Sequence, residues 1–332
     1  METAFITGCA SGFGYALASR LLALGYRVFA TDKDVEGLAA KLGNFPDLHV
    51  FALDVRQDEA VQQTVSRALA IAPVDVLVNN AGYALFGTVE EVDLEAVREV
   101  FEVNFLGVVR VTQALLPCLR ERAGTVVQLS SVAGRTVFPE SGFYAATKYS
   151  VEALSEALFQ ETCSFGVKVR LIEPGSFATK FLEHAVSFCP PDSPYSEIRQ
   201  LWDKRKVEVL ESPQNPELVV DAIVGSLNDE SPFLRLPVGL DSERILALFE
   251  ALGADAWSRF SADRNGLDHP AHLSSEVMFP HEVIHLMEDD ESNPILTYRR
   301  LYPTFCALAH GHLDHWTLSE EGRLALSLLA GV

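Results

Sequence analysis

Short apolar runs alternate with longer stretches of helical spacing through the first three-quarters of the chain. Thr3–Thr7, Arg27–Thr31, Leu48–Leu53, Val74–Asn79, Thr125–Ser130 and Val167–Ile172 are compact and rich in Val, Ile and Leu, which predicts strands. Between them, Phe13–Leu24, Val35–Leu42, Asp58–Ile71, Leu94–Arg122 and Phe143–Ser164 repeat apolar residues at helical intervals. Strands of near-continuous apolar character, separated by helices, imply a parallel sheet covered on both faces. Right-handed crossovers then give an α/β fold with a doubly wound parallel sheet.

The pattern changes after Pro174-Gly175. Residues 176–215 are mixed in character and read as a lobe that shapes a substrate site. Pro216–Leu227 predicts a helix and Phe233–Pro237 one more strand. From about Asp241 the text is helical fragments broken by Pro270, Pro280, Pro294 and Pro303, with no strand–helix alternation. The expected organisation is a nucleotide-binding Rossmann domain over 1–240 and a helical C-terminal extension over 241–332.

Composition narrows the partners. The formal net charge of the 332 residues is −20, which repels DNA, RNA and anionic lipid. No segment approaches the roughly 18 unbroken apolar residues of a membrane span, and the N-terminus lacks the basic-then-apolar layout of a signal peptide. A cytoplasmic protein with neither nucleic acid nor membrane as partner is expected. Its five scattered cysteines, without a CxxC pair, suit free thiols in a reducing compartment.

The first strand runs into Thr7-Gly8-Cys9-Ala10-Ser11-Gly12-Phe13-Gly14 and then a helix. Glycines allow a tight turn and close backbone approach to a ligand. The helix N-terminus offers free N–H groups and a positive dipole end to a pyrophosphate. Gly8, Ser11, Gly12, Phe13 and Gly14 are therefore candidate cofactor contacts. Asp32 closes the second strand, near the distance of about 20 residues at which a carboxylate meets the adenosine ribose and repels a 2′-phosphate. That favours NAD over NADP, although Lys33 follows directly. Asp54 and Val55, after the third strand, are placed to meet an adenine. Asn79-Asn80-Ala81-Gly82 ends the fourth strand, where small residues and amides of Asn80, Ala81 and Gly82 can frame a cofactor.

Tyr144 and Lys148 stand one helical turn apart and share a face. A free phenol has a pKa of about 10. A cation about 4 Å away is worth up to ~4 kcal/mol at an effective dielectric of about 20, enough to bring the phenol toward working range. Ser131, at the end of a strand, can hold a substrate oxygen while the phenol exchanges its proton; Ser130 competes for that role. Asn104, a mediocre helix former inside a long helix, is expected either to bond back to its helix or to hold a water in a relay behind Lys148.

In their order and spacing, Thr7–Gly14, Asn79–Gly82, Asn104, Ser131, Tyr144/Lys148 and Pro174-Gly175 resemble the short-chain dehydrogenases/reductases over roughly residues 3–240. The wording of Phe5–Gly14, Ser150–Ser155 and Phe165–Val169 is similar to the retinol and hydroxysteroid dehydrogenase branch. The resemblance implies Tyr144 as general acid/base, Lys148 lowering its pKa and holding the nicotinamide ribose, Ser131 positioning the carbonyl or alcohol, and Asn104 supporting the relay. It also implies cofactor contacts at Pro174, Gly175 and Thr179. It implies a homodimer or homotetramer built through the helices at Leu94–Arg122 and Phe143–Ser164. The sequence departs from membrane-bound members in lacking an N-terminal anchor and in running about 80–90 residues past the usual core.

In the lobe, Phe177, Phe181, Leu182, Phe188, Tyr195 and Trp202 can line an apolar pocket or pack as core. Lys180, Arg199, Lys204, Arg205 and Lys206 form no evident anion clamp. A hydrophobic secondary alcohol or its ketone is the expected substrate, with NAD carrying the hydride and no metal. Two other classes compete. A silent cofactor-binding regulator needs no proton-transfer group, so the Tyr144/Lys148/Ser131 set argues against it. A zinc hydrolase would use His281-Glu282-Val283-Ile284-His285, which fits HExxH. That motif has no third ligand at a telling distance.

Overall fold

A computed structural model describes residues 1–261, apart from Asn44, Ala178, 201–202, 205–213, 255–256 and 259–260. The chain divides into two compact units, Met1–Glu243 and Arg244–Val332. In the second unit, the described part includes the edge-on pair Phe249 and Trp257, with ring centroids 6.0 Å apart. The HExxH segment, the remaining histidines of the tail and the apolar end lie outside the described residues, as does Trp202.

The first unit is built on a seven-stranded sheet, all parallel, in the order β3-β2-β1-β4-β6-β7-β9. The strands are β1 (Thr3–Thr7), β2 (Arg27–Asp32), β3 (Leu48–Ala52), β4 (Val76–Asn79), β6 (Thr125–Leu129), β7 (Lys168–Pro174) and β9 (Phe233–Val238). Alternation of side chains across the pleat explains why these runs are apolar throughout. Ala4 and Ile6 of β1 point to one layer, with Leu17 and Leu21 of α1 (Gly12–Ala23) and Val219, Val220 and Ile223 of α8 (Glu217–Leu227). Phe5 points to the other layer, with Val61 and Val65 of α3 (Asp58–Leu69) and Val111, Leu115 and Leu119 of α5 (Gly107–Arg122). Each such fully buried side chain contributes roughly 1.5–3 kcal/mol. The short α2 (Leu38–Leu42) follows β2.

Strand order reverses between β1 and β4. Their carboxyl ends open a crevice at that switch point, the place where open α/β sheets bind ligands. Two features depart from the sequence reading. The continuous helix expected over 94–122 is α4 (Leu94–Phe101), a π-helical turn (Glu102–Leu106) and α5. The run meets the length and hydropathy of a membrane span, but α5 turns Val108, Val111, Leu115 and Leu119 into the core. Second, two-residue strands β5 (Leu85–Phe86) and β8 (Val186–Ser187) pair in parallel. They stitch the lobe, with its short helix α7 (Lys180–Glu183), to the loop after β4. Two-residue strands carry no periodicity to read. Helix α6 spans Gly142–Thr162, and α9 (Leu240–Leu252) follows β9.

Candidate active site

The glycine loop leaves β1 at the switch point. Gly8 and Gly12 take positive φ (76° and 58°), and a Cβ on Gly14 would collide with the Gly8 carbonyl oxygen. The N-terminus of α1 has no side-chain cap and no acidic residue in its first turn. Ser11 occupies the N-cap position with its hydroxyl uncommitted to the helix. Phe13 packs edge-on against Phe177 at 5.6 Å. An uncapped helix end above an open glycine turn suits an anionic group such as a dinucleotide pyrophosphate.

Around this loop several expected contacts have structural duties. The Asn80 amide donates to the carbonyls of Thr7 (2.8 Å) and Gly8 (2.9 Å). The side chain expected to frame a cofactor pins the loop. The Thr7 hydroxyl accepts from the N–H groups of Asn80 (3.0 Å) and Ala81 (3.1 Å). Asp32 accepts from Ala10 N (2.9 Å) and Asp34 N (3.1 Å), which ties the end of β2 to the loop. Asp54 is gripped by Arg56, with Oδ2 2.7 Å from one guanidinium nitrogen; this holds its carboxyl below the usual range. The Val55 side chain is buried against Gly107 at the start of α5, so only its backbone is left to face a ligand.

The catalytic candidates converge at the carboxyl ends of β4 and β6. Tyr144 and Lys148 lie on the first turns of α6, both buried, with the ammonium 5.8 Å from the phenol ring centroid. Lys148 Nζ donates to the Leu129 carbonyl at 2.6 Å. Burial pushes the Tyr144 phenol up to about 12, opposed by a hydrogen bond with Ser131. Burial draws Lys148 down to about 8, opposed by the charge of Glu152. Loss of water around the phenol outweighs the Ser131 hydrogen bond. At neutral pH the phenol keeps its proton.

The two serines point in different directions. The Ser131 hydroxyl bonds to Tyr144, accepts from Ala133 N (3.1 Å) and reaches the Pro174 carbonyl (3.4 Å). Ser130 turns away and donates to Glu152. Asn104 sits on the π turn, 1% exposed. Its Oδ1 accepts from Tyr83 N (3.0 Å), and its Nδ2 donates to Tyr83 O (2.9 Å) and Thr147 Oγ1 (3.2 Å). The amide expected to hold a relay water is committed to joining the loop after β4 to α6. Gly82 lies against Asn104 and Lys148.

Beyond Pro174, Gly175 N donates to Val238 O (2.9 Å). Thr179 Oγ1 accepts from Phe181 N (3.2 Å), which helps start α7. Phe181 packs on the Tyr144 ring at 5.8 Å, joined by Ala84, Phe86, Ala133, Leu182 and Ala185. Phe177 and Phe188 belong to other core clusters. Tyr195 donates to Glu90 (2.5 Å). Arg199 is held by Glu91 (3.5 Å) and Glu140 (3.1 Å), so it offers no anion clamp.

A family model for short chain dehydrogenases matches residues 2–188. The chain belongs to this family. Relatives include retinol dehydrogenase 8 of Homo sapiens, 37% identical over 70% of this chain and 80% of its own. The oxidoreductase YusZ of Bacillus subtilis is 34% identical over 77% of this chain and 95% of its own. A short-chain dehydrogenase from Streptomyces avermitilis superimposes with a TM-score of 0.69, at 33% identity, over 81% of this chain and 99% of its own.

Sequence reasoning missed several residues of this short-chain dehydrogenase's site. Tyr83 and Leu129 bond to the predicted groups through their backbone, which leaves no mark in residue type, and Thr147 bonds Asn104 through a hydroxyl that the sequence did not single out. Ala84, Phe86 and Ala185 meet Tyr144 only because β5 pairs with β8. Among the described residues, no group of three His, Cys, Asp or Glu side chains is arranged to hold a metal.

Proposed function

We propose that the protein is an NAD(H)-dependent oxidoreductase acting on a hydrophobic secondary alcohol or its ketone. The observation that carries this reading is the buried triad of Ser131, Tyr144 and Lys148 beside an apolar wall of Phe86, Phe181, Leu182 and Ala185.

When bound, the nicotinamide cofactor supplies or accepts the hydride. The chain's residues do the rest. The first turn of α1 and the glycine loop hold the pyrophosphate, with Asp32 favouring a ribose that bears no 2′-phosphate. Ser131 donates a hydrogen bond to the substrate oxygen and fixes it beside the phenol. Tyr144, protonated at neutral pH, gives its proton to a ketone oxygen in reduction and takes it back from the alcohol in oxidation. Lys148 stabilises the phenolate formed between these steps. The apolar wall excludes water and selects hydrophobic substrates.

The test is nicotinamide absorbance with a panel of apolar secondary alcohols and ketones, NAD and NADP side by side. Turnover on apolar members with NAD supports the reading. Turnover confined to charged or phosphorylated substrates contradicts it.

A further inference from the structure

One helical turn beyond Lys148 lies a buried carboxylate that proton exchange at Tyr144 does not use. Glu152 shares the α6 face with Tyr144 and Lys148 and is only 6% exposed. One oxygen accepts from the Ser130 hydroxyl and the other from Arg235 Nε at 3.0 Å. Ser130 is flanked by the two residues on which the site depends. The Leu129 carbonyl receives the Lys148 ammonium, and Ser131 bonds to Tyr144. The turn after β6 closes over this pair: a Cβ on Gly134 would lie 2.5 Å from Ser130 Oγ and 3.1 Å from Glu152 Cγ.

We propose that Glu152 is a positioning residue: its carboxylate ties the end of β6 to the catalytic helix and supplies the counter-charge that keeps Lys148 cationic. The groups around it fit. Arg235 on β9 bonds Glu152 and Glu156, both on α6, and approaches Glu173 of β7 to 3.9 Å. Arg135, after β6, lies 3.9 Å from the same Glu173 oxygen, and Tyr149 on α6 donates to the Arg135 carbonyl. Around Lys148 itself, Asn104 and the Leu129 carbonyl are uncharged and Tyr144 holds its proton. Among the described residues, Glu152, one turn along α6, is the acidic neighbour that favours the charged form of Lys148. A carboxyl group this buried is costly unless its oxygens are hydrogen-bonded, and here both are.

The inference rests on the reading of Tyr144 and Lys148 given above, and two variants with two readouts test it. In Glu152→Gln, the Lys148 titration, followed by NMR of lysine-labelled protein without cofactor, moves about one pH unit toward acid. The alkaline limb of kcat/KM for ketone reduction moves with it. In Ser130→Ala the titration stays in place while kcat falls about tenfold or more, at unchanged KM for cofactor. Loss of stability alone, with titration, pH limb and kcat unmoved, overturns the proposal. Should Glu152→Gln not fold, wild-type kcat in Ser130→Ala overturns it. If Tyr144→Phe keeps full turnover, the reading of the site falls; if Tyr144→Phe is dead but Lys148 titrates normally in Glu152→Gln, only this inference falls.

Discussion

Asp32 is the residue to which we assign the proposed preference for NAD, and it also has a structural job. Its carboxylate sits at the end of β2, where the adenosine ribose is expected, and also receives the Ala10 and Asp34 N–H groups. Its charge opposes a 2′-phosphate. Asp32→Asn removes that charge at constant size, and kcat/KM for NADP relative to NAD is predicted to rise at least about tenfold, some 1.4 kcal/mol. An unchanged ratio would remove Asp32 from the selection. Residue type made the glycine loop, Asp32, Ser131, Tyr144 and Lys148 legible, because each needs a particular functional group or none. It did not show the bonds that Asn80 and Asn104 make, because their amides reach backbone groups and the Thr147 hydroxyl.

Among the elements, the π turn at Glu102–Leu106 links the loop after β4 to α6. It brings Asn104 between Tyr83 and Thr147. Asn104→Ala would leave the Tyr83 N–H and carbonyl without these partners, at a cost of about 1–3 kcal/mol in unfolding free energy. Denaturant titration measures it, and turnover is expected to fall in parallel as the loop after β4 loosens. Wild-type stability would mean that the loop is held by other contacts. The strands and long helices were readable from periodicity, with ends displaced by a residue or two. The π turn was hidden inside a helix whose apolar spacing it barely disturbs. The β5–β8 pair was hidden by its length, although it places Phe181 beside Tyr144.

For the whole molecule, burying Lys148 links stability to pH. Burial draws its folded pKa down to about 8, below a lysine's ordinary 10.5. Between those values the unfolded chain binds more protons than the native one, so stability rises with pH across that window and the penalty is fully felt below it. A Lys148→Met variant lacks the penalty. The gap in Tm between variant and wild type is predicted to narrow as pH rises from about 8 toward 10.5. A gap independent of pH would show that Lys148 does not titrate there. A sheet that folds around a charged lysine and a protonated phenol carries this cost at the site where proton transfer is proposed.

The central claim is that Tyr144 exchanges the proton. The most direct test is the rate of nicotinamide absorbance change on an apolar alcohol or ketone that turns over, compared between wild type and Tyr144→Phe. The variant keeps the ring that packs against Phe181 and loses only the hydroxyl. A fall of about 10²–10⁴-fold with cofactor binding intact is predicted for loss of a general acid/base. Turnover within a few-fold of wild type would contradict the account.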